Sequence, residues 1–94
     1  MDIEFDPAKR AWTLERRGLD FRDAARVFEG KRYTLEDSRR DYGETRYLTF
    51  GMLENLPVSI AWTVRVVRGQ PVRRIISMRK ANEREKAAYL ERLE

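Results

Sequence analysis

The feature that most constrains the fold is an unbroken alternation of apolar side chains in the second half of the chain. Its members lie two residues apart: Leu56, Val58, Ile60, Trp62, Val64 and Val66. Successive side chains of a β-strand point to opposite faces, so a period of two over residues 56–66 predicts one long strand with one buried face. Such a strand needs partners, and we expect a sheet at the centre of the fold.

Neighbouring segments supply those partners. Further strands are predicted over residues 33–35, 47–52 and 72–78. The turn at residues 68–71, which contains Gly69 and Pro71, joins the last two strands as an antiparallel hairpin. We therefore expect an antiparallel sheet of about four strands. The register of the hairpin stays open, because Arg74 has the same parity as Ile76 and Met78.

Helix signals flank the strands on both sides. Asp6 and Pro7 predict the start of a first helix, which ends at Gly18. Asp20 caps a second helix that ends at Gly30, with apolar residues spaced as on one helix face: Phe21, Ala24, Ala25 and Phe28. A third helix is predicted from the Asn82 and Glu85 capping box to about Leu93.

The order of elements indicates an α+β domain, with two N-terminal helices, an antiparallel sheet and a C-terminal helix. We expect the helices to lie together on one face of the sheet. The large aromatic residues are assigned to the core, with no role in stacking on bases: Trp12, Phe21, Phe28, Phe50 and Trp62. Tyr89 on the last helix could pack, donate a hydrogen bond or act as an acid.

Composition narrows the chemistry. The chain has 94 residues, which suit one domain over residues 1–94, and cysteine and histidine are both absent. Disulfide bonds, thiolate metal sites and histidine-based catalysis are therefore excluded. Without an apolar run of membrane-spanning length or the features of a signal peptide, we expect a cytoplasmic protein, and we assign it no metal and no cofactor.

Positive charge is concentrated in one segment. The net charge is only +4, but residues 57–82 contain six basic side chains and no acidic one: Arg65, Arg68, Arg73, Arg74, Arg79 and Lys80. Guanidinium groups bind phosphate through two hydrogen bonds and ammonium adds a compact charge, so this segment suits a phosphodiester. The alternative is that these cations are only solvated surface residues at the ends of the strands.

Individual residues follow from this pattern. Arg79 and Lys80, at the end of an apolar strand, are candidates for gripping a scissile phosphate, and Arg65 on the polar face of the long strand is a third. Arg73 and Arg74 are candidates for binding RNA. In the mixed loop over residues 37–46, Tyr42 could stack on a nucleobase, although such loops are usually just solvated. RNA carries its own nucleophile in the 2′-OH, so a basic site without histidine is easier to reconcile with RNA cleavage than with DNA hydrolysis.

Three segments resemble the BrnT family of type II toxins in order and spacing. They begin with Asp6-Pro7-Ala8-Lys9, continue with the Tyr-Gly-Glu-x-Arg element at residues 42–46, and close with the block Arg-Ile-Ile-Ser-x-Arg-Lys-Ala at residues 74–81. The resemblance covers nearly the whole chain. It implies a RelE-like fold, a ribonuclease activity that halts translation, and neutralisation by a ribbon-helix-helix antitoxin that also represses the shared operon.

The resemblance also suggests site residues. Glu44 and Arg46 fall in the Tyr-Gly-Glu-x-Arg element, Arg65 falls in a Thr-x-Arg element, and Arg79 and Lys80 fall in the closing block. Trp62 stands where the family commonly has a strand histidine, so a mechanism that needs histidine does not fit this chain. We therefore assign transition-state stabilisation to Arg65 and Arg79, substrate steering to Lys80 or Arg46, and the role of base to Glu44.

The leading hypothesis is an endoribonuclease toxin that cleaves single-stranded or ribosome-associated RNA without a metal. Its partners are an antitoxin of the ribbon-helix-helix class, in a hetero-oligomer that binds operator DNA through the antitoxin, and RNA. Two alternatives stay open: a binding module without catalysis, which would lose affinity steeply with salt but leave RNA intact, and a toxin that poisons a protein such as gyrase.

Overall fold

The computed structural model describes residues 1–94 as one five-stranded sheet with three helices. The strands are β1 (Asp2–Glu4), β2 (Arg32–Asp37), β3 (Arg46–Leu53), β4 (Leu56–Val67) and β5 (Gln70–Lys80). The helices are α1 (Pro7–Arg17), α2 (Ala24–Glu29) and α3 (Glu83–Tyr89), and short 3-10 turns occupy Phe21–Asp23 and Leu90–Arg92. None of the helices has the length and apolar character needed to cross a bilayer.

The sheet is mixed rather than purely antiparallel. Its strand order is β1-β5-β4-β3-β2, and β1 pairs in parallel with β5 while all other neighbours are antiparallel. The α+β class is confirmed, but the expected four strands become five. The strand β1 was not predicted, because three residues are too few to show an alternation of apolar and polar side chains.

A β-bulge sets the register of the last hairpin. Ala61 pairs with Ser77 and Trp62 pairs with Ile75, so Ile76 is an extra residue on β5. The bulge reverses the parity of the strand, so that Ile75 and Met78 are both buried in the same core. Arg74 points to the other face, because its partner Thr63 lies next to the core residue Trp62 in β4.

Helix α1 packs against β5, and α2 packs against β3 and β1. Asp6 accepts a hydrogen bond from the backbone of Ala8 at the start of α1, and Gly18 ends it at a φ of 68°. The predicted second helix begins instead as a 3-10 turn capped by Asp20, so α2 is short. A Cβ on Gly51 would lie 2.7 Å from a methyl group of Val27, so glycine is needed there for α2 to approach β3.

The core lies between α2 and one face of the sheet. It contains ten buried residues: Leu19, Phe21, Ala24, Val27, Phe28, Val58, Ile60, Trp62, Ile75 and Met78. The assignment of Phe21, Phe28 and Trp62 to the core is thereby confirmed. Trp12 was wrongly assigned, because 47% of this residue on α1 is exposed to solvent.

The last helix packs on the opposite face, so the expectation that all helices share one face is wrong. Phe50 pairs with Ser59, which points away from the core residue Val58, and the Tyr89 ring of α3 lies 5.8 Å from the Phe50 ring. Tyr89 also stacks on Tyr33 at 5.3 Å, so its observed role is packing. This second layer explains why the apolar residues predicted on β3 alternate out of phase with those of β4.

Candidate active site

Three arginines from three neighbouring strands meet on the sheet face opposite α2, and we refer to Arg46, Arg65 and Arg74 as the arginine cluster. Thr63 pairs with Arg46 of β3 on one side and with Arg74 of β5 on the other. Arg65 follows Thr63 by two residues and shares its face. Arg65 is the diagonal neighbour of both Arg46 and Arg74. Diagonal neighbours lie about 7–8 Å apart, within reach of long side chains, so one bound anion could contact more than one guanidinium.

Two carboxylates accompany the three guanidinium groups. Glu44 accepts a hydrogen bond from Nε of Arg46 at 3.1 Å and lies 3.8 Å from a terminal nitrogen of Arg65. On the far side, Glu4 of β1 lies 3.4 Å from Arg74. The cluster therefore keeps a net positive charge, and its side chains are between 30% and 51% exposed. No group of three carboxylates that could hold a metal ion occurs in the chain.

Glu44 lies in the loop between β2 and β3, and the sheet holds that loop in place. The hydroxyl of Thr63, which is almost fully buried, donates a hydrogen bond of 2.6 Å to the carbonyl oxygen of Thr45. Gly43 adopts a φ of 72° and donates its backbone N–H to Asp41. These contacts fix the backbone on both sides of Glu44.

Asp37 anchors the start of the same loop. Its carboxylate is buried and accepts two hydrogen bonds from the guanidinium of Arg39, at 2.8 and 2.9 Å, and one from the hydroxyl of Tyr42 at 3.1 Å. The hydrogen bonds from Arg39, supported by that of Tyr42, lower the pKa of Asp37 to about 2. Neither Asp37 nor Thr63 was predicted to contribute to the site, because short polar residues at strand ends carry no distinctive pattern.

Tyr42 joins the arginine cluster through its ring. The guanidinium of Arg46 lies 4.1 Å from the ring centroid, and that of Arg40 lies at 5.9 Å. The structure therefore brings together Tyr42, Glu44, Arg46, Arg65 and Arg74 from the residues that the sequence singled out.

Arg79 and Lys80 lie elsewhere. Arg79 pairs with Ser59, six residues before Arg65 on β4, which places it roughly 20 Å from Arg65 along the same face. It forms a two-pronged ion pair with Glu85 of α3 at 2.6 and 3.0 Å, and this contact lowers the pKa of Glu85. Lys80 pairs with Val58 and belongs to the other face.

Arg73 is also separated from the cluster. It pairs with Val64 on the core side, and its guanidinium lies 4.1 Å from the Phe28 ring and 4.9 Å from the Trp62 ring. Its Nε atom is buried without a hydrogen-bond acceptor. Burial, together with the nearby positive charge of Arg32, lowers the pKa of Arg73.

Comparison with known proteins identifies the family of the chain. A family model described as a ribonuclease toxin, BrnT, of a type II toxin–antitoxin system matches residues 5–85. No curated protein matches the chain. The matched region includes every residue of the arginine cluster, the loop that carries Glu44, and the bulged strand β5. The chain belongs to the BrnT family of ribonuclease toxins, whose type II systems pair each toxin with an antitoxin.

Proposed function

We propose that the arginine cluster and Glu44 form the catalytic site of an endoribonuclease that acts on single-stranded or ribosome-associated RNA and thereby inhibits translation. The observation that carries the proposal is the placement of Arg46 and Arg65 on either side of the Glu44 carboxylate, with Arg74 on the next strand of the same open sheet face. Preorganised positive charge of this kind stabilises the charge that develops on phosphate oxygens in a transition state.

The proposed reaction uses the 2′-OH of RNA as nucleophile. Glu44 accepts the proton of this hydroxyl while its oxygen attacks the adjacent phosphorus. A bond from O2′ to phosphorus forms, and the bond from phosphorus to the 5′ oxygen of the next nucleotide breaks. The leaving 5′ oxygen takes up a proton from water and becomes a 5′-hydroxyl, and the other product is a 2′,3′-cyclic phosphate. Arg65 and Arg74 contact the phosphate, Arg46 steers it, and no step requires a metal.

The remaining basic residues take other places in this proposal. Arg79 lies too far from Arg65 to contact the same phosphate, so we assign it to a phosphate further along the RNA. Tyr42 is assigned to the base beside the cleaved bond, because its ring already lies against Arg46. Lys80 and Arg73 point to the other face, so neither is assigned a step in the cleavage reaction.

The proposal extends to partners and location. We propose that the antitoxin belongs to the ribbon-helix-helix class and that the toxin binds operator DNA only through it, as part of a hetero-oligomer. The toxin would act in the cytoplasm, where its RNA substrate is found.

Cleavage of purified RNA tests the proposal. The protein, freed of antitoxin, is incubated with total RNA and EDTA, alongside the variants Arg65→Ala, Arg79→Ala and Arg68→Ala. We expect the wild type to cleave, Arg65→Ala to lose at least about 100-fold in rate, and Arg79→Ala to lose less. Arg68, at the exposed tip of the β4–β5 hairpin, serves as the matched control, because it removes one charge without touching the cluster.

Three results would contradict this site. RNA that stays intact with the wild type would overturn the proposed activity, and cleavage lost on EDTA addition would overturn the metal-independent mechanism. An Arg65→Ala variant as active as Arg68→Ala would move the site away from the cluster.

A further inference from the structure

A cavity of about 440 Å³ lies between α1 and the bulge of β5, outside the arginine cluster. Its walls include Lys9, Trp12 and Arg17 from α1 and Ile76 and Ser77 from β5. Small-molecule sites have volumes of roughly 300–1,000 Å³, so the cavity is large enough for a heterocyclic base.

Trp12 gives this cavity an aromatic wall that core packing does not use. The residue is 47% exposed, whereas the second tryptophan, Trp62, is 7% exposed. A large aromatic side chain left half exposed beside a cavity offers a flat surface for stacking.

The charged side chains at the cavity are basic. Lys9 and Arg17 contribute to its lining, and no carboxylate does. Arg17 is held in place, since it donates a hydrogen bond of 3.0 Å to the carbonyl oxygen of Met78, and its guanidinium lies 5.1 Å from the centre of the Trp12 ring. An exposed aromatic ring with adjacent cations matches a nucleotide, whose base stacks while its phosphate pairs with the cations.

The position of the cavity relates it to the arginine cluster. Ser77 and Arg74 lie on the same face of β5, since their partners Ala61 and Thr63 are two residues apart on β4. Two residues along a strand span about 7 Å, so a strand of RNA on the arginine cluster would pass close to the wall of the cavity at Ser77.

We propose that this cavity binds a nucleobase of single-stranded RNA by stacking it on Trp12, on the other side of the cleaved bond from the base assigned to Tyr42. The inference rests on the proposed function for the position of the cleaved bond. Binding of the base, however, can be measured without cleavage. The cavity then contributes to the affinity for RNA and to the preference for the base at that position.

Tryptophan fluorescence provides the test. The probe is a short 2′-O-methyl oligoribonucleotide, which resembles RNA but cannot be cut by 2′-OH attack. We expect the probe to quench the emission of the wild type and to leave the emission of Trp12→Phe unchanged, because only buried Trp62 then emits. In an anisotropy titration with the labelled probe, Trp12→Ala should bind roughly tenfold more weakly. Leu14→Ala, exposed on the same helix and outside the cavity, should bind like the wild type.

The outcomes separate the inference from the proposed function. Binding of the probe without quenching of Trp12, or equal quenching in Trp12→Phe, would overturn the inference, as would quenching by the antitoxin but not by the probe. Quenching that disappears when the probe carries an abasic position would support stacking of a base. If Trp12 is quenched while unmodified RNA remains intact, the cavity stands and the proposed catalysis fails. If the wild type cleaves RNA but binds the probe without quenching, the proposed catalysis stands and the inference about the cavity fails.

Discussion

Glu44 is the residue on which the proposed chemistry depends most, because its carboxylate lies between Arg46 and Arg65 and is the proposed base. Replacing it by glutamine keeps the shape and removes both the charge and the capacity to act as a base. We expect Glu44→Gln to slow single-turnover cleavage by roughly 100- to 10,000-fold, the usual contribution of a general base.

Affinity distinguishes the base from a mere counter-ion. Loss of a negative charge beside bound phosphate should leave the binding of the 2′-O-methyl probe unchanged or tighter in Glu44→Gln. If cleavage and binding instead weaken together, Glu44 shapes the binding surface and another group takes the proton.

Part of this site was predictable residue by residue. The hairpin turn at Gly69 brings Arg65 towards Arg74, and the resemblance to the family pointed to Glu44 and Arg46. Arg65 and Arg79 had been grouped in one site, but they lie far apart on the sheet. Arg73 lies on the opposite face from Arg74. Both facts depend on strand register and parity, and the bulge at Ile76 changes parity without leaving a pattern in the sequence.

At the scale of elements, the loop between β2 and β3 contains Glu44, and a hydrogen bond from Thr63 anchors this loop to β4. Thr63→Val preserves the volume of the side chain but removes the donor to the carbonyl oxygen of Thr45. We expect a loss of about 1 kcal/mol in the free energy of unfolding, measured by urea denaturation.

The same variant should reveal a positioning role. Cleavage by Thr63→Val should fall more than its affinity for the 2′-O-methyl probe, because the loop carrying Glu44 moves while the arginines stay. Thr63→Ser, which keeps the hydroxyl, should recover most of the rate. Unchanged cleavage in Thr63→Val would show that the loop does not need this anchor.

The start of α3 could be predicted from the sequence, whereas the side of the sheet on which it packs could not. Its start was predictable because Asn82 and Glu85 exchange hydrogen bonds as a capping box. Its side of the sheet was not, because the helix buries no residue completely and carries no continuous apolar stripe. The relevant information lay in β3, where Leu48 and Phe50 alternate on the face opposite the core residues of β4.

At the scale of the whole molecule, two carboxylates link folding to pH. The hydrogen bonds from Arg10 to Asp20 lower the pKa of this carboxyl from 3.8 to about 2, and Asp37 behaves similarly. A pKa lower in the folded state means that the stabilisation is complete above about pH 4 and is lost as the pH falls towards 2.

Asp20→Asn tests this linkage. The asparagine can still cap the 3-10 turn at the backbone N–H of Arg22, while the ionic contact with Arg10 is lost. We expect the variant to have a lower free energy of unfolding than the wild type at pH 7, and the difference to shrink between pH 4 and pH 2. A difference that does not change with pH in urea denaturation would contradict the assignment.

Neutralisation by the antitoxin also depends on the whole molecule. Arg65 and Arg79 share one face of the sheet but lie roughly 20 Å apart. An antitoxin that works by occlusion must therefore extend along β4 and β5 with carboxylates or a helix over both arginines, since a contact at either end alone leaves the other exposed.

We expect Arg65 and Arg79 to react more slowly with phenylglyoxal in the complex than in the free toxin, as followed by mass spectrometry. Arg68 at the hairpin tip lies beyond this surface and should react at a similar rate in both states. Equal protection of Arg68 would indicate general shielding, and Arg65 and Arg79 that react as fast in the complex as in the free toxin would rule out occlusion, leaving a change in the conformation of the Glu44 loop as the route to inhibition.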